Sequence, residues 1–137
     1  MHRGPLFDDP ATESAADDRL TAIRSTLTRA REGWADRGEI TIDTGLRFDG
    51  RRPVQGRLRK RGRRYDIGDL AGAVSAAGRP EGWLAIAERV VVQTGLNVNR
   101  RGVVFVSAVE GRDLASLALQ VAETSLAVYS ALLDSLD

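Results

Sequence analysis

The sequence has no cysteine and one histidine, His2. Without cysteine there is no disulfide framework, no thiolate zinc site and no cysteine nucleophile. With His2 alone in the opening stretch, histidine triads and most transition-metal sites are also excluded. No cofactor and no metal are expected. Aromatic residues make up only 5% of the chain, which leaves few rings for stacking on a ligand. Apolar runs such as Val90–Val92 and Val103–Val106 stop far short of the roughly 20 residues of a membrane span, so no bilayer crossing is expected. Residues 1–10 carry Asp8 and Asp9 and no apolar stretch, unlike a secretory signal or an acid-poor transit peptide. The expected compartment is the cytoplasm. Lysine is nearly absent too, because all cations but Lys60 are arginines. That usage fits bidentate recognition of phosphate or carboxylate, and it fits a GC-rich genome equally well.

What remains is a chain of 137 residues with 42% hydrophobic and 28% charged residues, the size and balance of one globular domain. The net charge of +1 conceals an uneven distribution. Residues 1–50 hold seven Arg and ten acids, and residues 65–137 hold five Arg and nine acids. Between them, residues 51–64 hold eight cations and no acid: Arg51, Arg52, Arg57, Arg59, Lys60, Arg61, Arg63 and Arg64. A basic block in an otherwise acidic chain creates a local field that attracts anions.

Residues 1–13 lack periodicity and read as a flexible tail, with residues 14–137 as a single domain. Leu20, Ile23, Leu27, Ala30 and Trp34 recur at steps of three and four, predicting an amphipathic helix that begins at a Ser14/Asp17 capping box and ends near Gly38. Residues 39–43 alternate with period two, and Leu46 and Phe48 can extend that strand. Asp49-Gly50 predicts a tight turn into a returning strand over 54–59, and after Gly62 a third strand follows over 63–68 with Tyr65 and Ile67 on one face. Asp69 is expected to cap a short helix over 70–77, so that Asn would replace it almost neutrally and Ala would cost about 1 kcal/mol. A helix then carries Trp83, Ile86, Ala87, Val90 and Val91. A hairpin joins Leu96–Asn99 to Gly102–Val109, and Asp113 caps a last helix. The expected class is α+β, in the order α-β-β-β-(α)α-β-β-α, with an antiparallel sheet covered by helices on one face.

This order resembles the fold of type III secretion chaperones and of YbjN-type bacterial regulators. The stretch Arg64-Tyr65-Asp66-Ile67-Gly68-Asp69-Leu70 is similar to the Tyr-x-Leu-Thr-Asp-x-Gly pattern of an uncharacterised bacterial and phage domain family, with Gly68 in place of Thr and Gly72 one position late. That family follows the pattern with a helix and a hairpin like Gly95-Leu96-Asn97-Val98. The resemblance implies a small, often dimeric adaptor or regulator that works by binding another protein.

Asp66 and Asp69 are close enough in sequence to be weighed as a catalytic or Mg²⁺-binding pair. Residues three apart on a strand face opposite ways, however, and the capping role for Asp69 is favoured. Glu110 and Asp113 are explained by the start of a helix. No phosphate loop, nucleophile elbow or dinucleotide loop is present, and a non-enzymatic protein is expected. The basic block has three readings: a solvated face that prevents sheet aggregation, a nucleic-acid contact with Tyr65 as its only nearby ring, or a contact for an acidic protein partner. Trp34 and Trp83 fall in phase with apolar neighbours and read as core. The last helix carries a second apolar stripe including Leu119, Leu126, Tyr129 and Leu133, which predicts a second covering surface and thus a homodimer. The expectation is an interaction module, chaperone-like or regulatory, with an unidentified protein partner. A nucleic-acid-binding regulator is the alternative.

Overall fold

The computed structural model describes residues 10–136, with side chains for 17–30 and 38–136. Helix α1 (Pro10–Arg37) leads into strands β1 (Glu39–Arg47), β2 (Pro53–Arg61) and β3 (Arg64–Gly68). Helices α2 (Gly72–Ala76) and α3 (Trp83–Val92) come next, followed by strands β4 (Asn97–Val98) and β5 (Val104–Val109) and the long helix α4 (Leu114–Asp134). The five strands form one antiparallel sheet in the order β1-β2-β3-β5-β4. The α+β architecture expected from the sequence is thus the one observed.

Alternation places the sheet's two faces. Val54, Gly56 and Leu58 of β2 are buried on the helix side, while Gln55, Arg57, Arg59 and Arg61 are exposed on the other. Ile42, Leu58, Ile67 and Val104 pack with Ile23 of α1, Val74 of α2, Val91 of α3 and Val121, Val128 and Leu132 of α4 into one core. Full burial of a side chain such as Leu58 or Ile67 is worth about 1.5–3 kcal/mol, so this face drives sheet and helices together. α4 touches β1, β2, β3 and β5 beneath it and is flanked by α1, α2 and α3. The apolar surface that exceeds one sheet face is therefore covered in large part by helices of the same chain, with Leu133 and Leu136 left exposed. With its preceding turn, the helix Gly111–Asp134 is long and apolar enough to cross a membrane by length and composition, with a mean hydropathy of 1.3. No unbroken apolar run marks it in the sequence, and its buried side forms the centre of the core.

Several local expectations need correction. α1 starts at Pro10, so Ser14 lies inside the helix rather than at its cap, and residues 10–13 are helical. Residues 1–9 of the expected tail, and the side chain of Trp34, lie outside the described residues. The β1–β2 connection spans residues 48–52 instead of two residues, because Asp49 Oδ1 accepts the N–H groups of both Arg51 and Arg52 at 3.0 Å, and Phe48 N–H donates to Arg52 O. The tight turn is the next one, Gly62-Arg63, where Gly62 has φ +63°. Asp113 makes no side-chain cap. Trp83 is half-buried against the core, with the Arg79 guanidinium 5.4 Å from its ring centroid.

β5 carries one extra residue opposite β3, since Tyr65 pairs with Val109 while Ile67 pairs with Val106. Ala108, exposed at this bulge, sits at φ +58°. The left-handed region costs a residue with a Cβ about 1–2 kcal/mol and costs glycine almost nothing. Ala108→Gly is therefore expected to raise the melting temperature by a few degrees in a thermal unfolding scan. A lower melting temperature would mean that the bulge holds no strain.

Candidate functional site

The basic block follows β2 from end to end, a stripe about 30 Å long at ~3.3 Å per residue. Arg51 and Arg52 stand at the β1–β2 connection, Arg57, Arg59 and Arg61 on the open sheet face, and Arg63 and Arg64 at the far turn and the start of β3. Three of these cations are held by acids on neighbouring segments. Arg57 Nε donates to Glu39 at 3.0 Å, Arg61 Nε lies 3.0 Å from Asp66 Oδ2, and Arg64 Nη1 lies 3.4 Å from Glu110. No acidic partner within ion-pair distance is seen among the described residues for Arg51, Arg52, Arg59 or Arg63. Lys60 is in phase with the helix side of β2 and leaves the stripe.

Tyr65 does not join the arginines. It is half-buried on the helix side, packed against the core. Among the described residues Phe105 is a ring that does share the open face, aligned through Gly68 with Arg57. Phe105 lies within the apolar run Val103–Val106, so composition alone gives no sign that it faces away from the core. The register sets acids among the cations: Arg59 lies between Glu39 and Asp66 across three strands. The open face is therefore a mosaic and not a uniform positive field.

The two aspartates of the Tyr65–Leu70 motif do not converge. Asp66 lies on the open face, where Oδ1 accepts the Ala108 N–H at 3.1 Å and an Arg61 Nη2–H at 3.0 Å. Partial burial pushes its carboxyl up, but Arg61, the Ala108 N–H and Ser107 outweigh that and hold it below its ordinary value. Asp69 is on the helix side and only 1% exposed. Its Oδ1 accepts the N–H groups of Ala71 at 3.0 Å and Val104 at 2.8 Å, and its Oδ2 accepts the Ser125 hydroxyl at 2.7 Å and, more loosely, the Ala73 N–H at 3.4 Å. Burial pushes the Asp69 carboxyl above its ordinary value, opposed by Ser125 and the three backbone donors. The pair thus clamps β5 to β3 at both ends, and Asp69 also ties in α2 and α4. The N-cap of α2 is Ala71, with no side-chain cap, so Asp69 is not the cap expected of it; it joins α2, β5 and α4 instead, and the near-neutral Asn and small Ala cost expected of a cap no longer follow.

No family model, curated protein or solved structure matches this chain.

The remaining candidate set lies along α4. Leu119 is buried within the chain, and Leu126 and Tyr129 are half-buried, Tyr129 with its ring centroid 5.2 Å from that of Phe48. Of the four, only Leu133 counts as exposed, and the more exposed Leu136 lies one turn on. Leu119 is thus unavailable to a second subunit, because α1, α2 and α3 already cover much of the helix that seemed to need one. Among the described residues, no cluster of His, Asp or Glu is placed to hold a metal ion.

Proposed function

We propose that this protein is a non-catalytic interaction module, an adaptor or chaperone-like regulator, which docks an acidic segment of a partner protein along the β2 stripe. The observation that carries this reading is a row of exposed cations running from the β1–β2 connection (Arg51, Arg52) over the open face of β2 (Arg59) to the turn after it (Arg63), none of which has an acid within ion-pair distance among the described residues. Desolvating such charges against carboxylates fixes register and speeds encounter more than it adds raw affinity. Alternate residues of an extended peptide recur every ~6.6–6.8 Å, the same spacing as the outward residues of β2.

Nucleic acid is the second reading, favoured by Phe105 beside the Arg57 ladder. A phosphate backbone carries charge at every nucleotide and would meet Glu39, Asp43 and Asp66 on this face, whereas a peptide can place its carboxylates selectively. The test is calorimetric titration of the protein with a twelve-residue peptide alternating Glu and Ser, at about 0.15 M salt, where screening acts over ~8 Å. Saturable binding is expected. Absence of binding, with a single-stranded oligonucleotide of equal length binding instead, would transfer the assignment to nucleic acid.

A further inference from the structure

On the helix side of the same strands lies a groove of about 700 Å³, within the size range of small-molecule sites. Arg24, Leu27 and Thr28 line it from one face of α1, where residues three and four apart are neighbours. Gly38, Lys60 and Tyr65 line it from the sheet, and Gly111, Arg112, Leu114 and Ala115 line it from the turn and first residues of α4. Lys60 is the odd member of its strand. The helix-side positions of β2 run Val54, Gly56, Leu58 and then Lys60, so the position that would continue the core carries an ammonium. It pairs across the sheet with Tyr65, and its backbone N–H is fixed to Gly38 O at 2.7 Å.

The groove therefore has an apolar floor of Leu27, Tyr65, Leu114 and Ala115 and three cations around it, with no acid among its described lining residues. Arg112 is partly neutralised by Glu110 at 2.7 Å. No acidic partner is seen among the described residues for Arg24 or Lys60. Like charges gathered at one apolar concavity repel one another, and an anion relieves that repulsion while its apolar body covers the floor.

We propose that this groove binds an amphipathic organic anion, a carboxylate on an acyl chain, with its head between Arg24 and Lys60 and its chain along Leu27, Tyr65, Leu114 and Ala115. The site is on the opposite side of the sheet from the open-face stripe and does not depend on the reading of that stripe. The probe is decanoate, with decanol and acetate as controls for chain without charge and charge without chain, followed by heteronuclear NMR or calorimetry. Decanoate should bind with a Kd below about 1 mM, and each control at least about tenfold more weakly. Arg24→Gln with Lys60→Gln, both at solvent-reachable positions, should weaken decanoate about tenfold and leave decanol unchanged. Ala115→Trp, checked for folding by circular dichroism, should block the groove. Removing Arg52, Arg59 and Arg63 should leave decanoate binding intact. Equal binding of decanol and decanoate, no loss in the double variant, or no binding at millimolar decanoate would overturn the assignment.

Discussion

Asp69→Ala is expected to lower the stability of this domain by about 4 kcal/mol, a large part of the roughly 5–15 kcal/mol that holds a typical domain folded. The substitution removes the acceptor for three backbone N–H groups and for Ser125, in a place almost without water. Each buried donor left unpaired costs about 1–3 kcal/mol, and the costs overlap because the donors share one site. Leu70 and Ala71, immediately after it, are both in the left-handed region at φ +58° and +60°, and the Asp69 bond to the Ala71 N–H helps to hold them there. Denaturant unfolding should therefore show an early midpoint, with a melting temperature lower by roughly 10–20 °C.

Asp69→Asn should fall between, at about 1–2 kcal/mol. Its carbonyl can still serve Ala71 and Val104 and its amide can donate to Ser125, but the Ala73 N–H loses its acceptor. The pH dependence adds a second readout. A carboxyl whose folded-state pKa is raised contributes most below its ordinary value of 3.8, and that contribution is lost as pH rises through the folded value. The deficit of Asp69→Asn relative to the parent should thus be largest in acid and narrow as pH rises. Asp43, Asp49 and Asp66, all held below their ordinary values, are common to both proteins and lose their contribution as pH falls. An Ala variant within 1 kcal/mol of the parent would mean that the buried bonds of Asp69 are worth no more than a single helix cap.

Replacing Arg52, Arg59 and Arg63 together with Ser should weaken binding of the Glu-Ser peptide about thirtyfold, at roughly 0.7 kcal/mol per exposed charge. Folding should be nearly untouched, because no ion pair is seen for the three among the described residues and surface changes of this kind lie within about 0.5 kcal/mol. The matched set Arg57, Arg61 and Arg64 gives the contrast. Those side chains are already engaged with Glu39, Asp66 and Glu110, so their removal should cost some stability and affect peptide binding less. If the two sets weaken binding equally, total charge matters and the arrangement along the strand does not.

The architecture could be read from periodicity because one-sided burial enforces it. Ile42, Leu58 and Ile67 fall on alternate positions, and Leu20, Ile23 and Leu27 on helical ones, whatever the rest of the fold does. The hairpin at Asn99–Gly102 was equally legible: Asn99 Oδ1 accepts from Arg101 and Val103, and a Cβ on Gly102 would press within 3.1 Å of Val74. What could not be read were consequences of strands distant in sequence. Asp69 looks like a cap because its local donors are near in sequence, while Val104 and Ser125 reach it only once β5 and α4 are in place. How much of the apolar surface of α4 its own chain covers was not legible either, because α1, α2 and α3 come against it only in the fold. Lys60 was grouped with the other cations by composition, although its parity with Val54 and Leu58 already placed it on the other side of the sheet.

The most direct test of the stripe as a protein-docking surface is a salt titration of the parent protein with the Glu-Ser peptide and, in parallel, a twelve-nucleotide single strand. Binding along phosphates releases counterions with a log–log slope of about −0.7 per contact on single strands. The mosaic of Glu39, Asp43 and Asp66 among the arginines predicts a peptide complex that persists at about 0.15 M salt and an oligonucleotide complex largely lost there. An oligonucleotide complex that survives that salt with a slope of three or more contacts, while the peptide fails to bind, would contradict it.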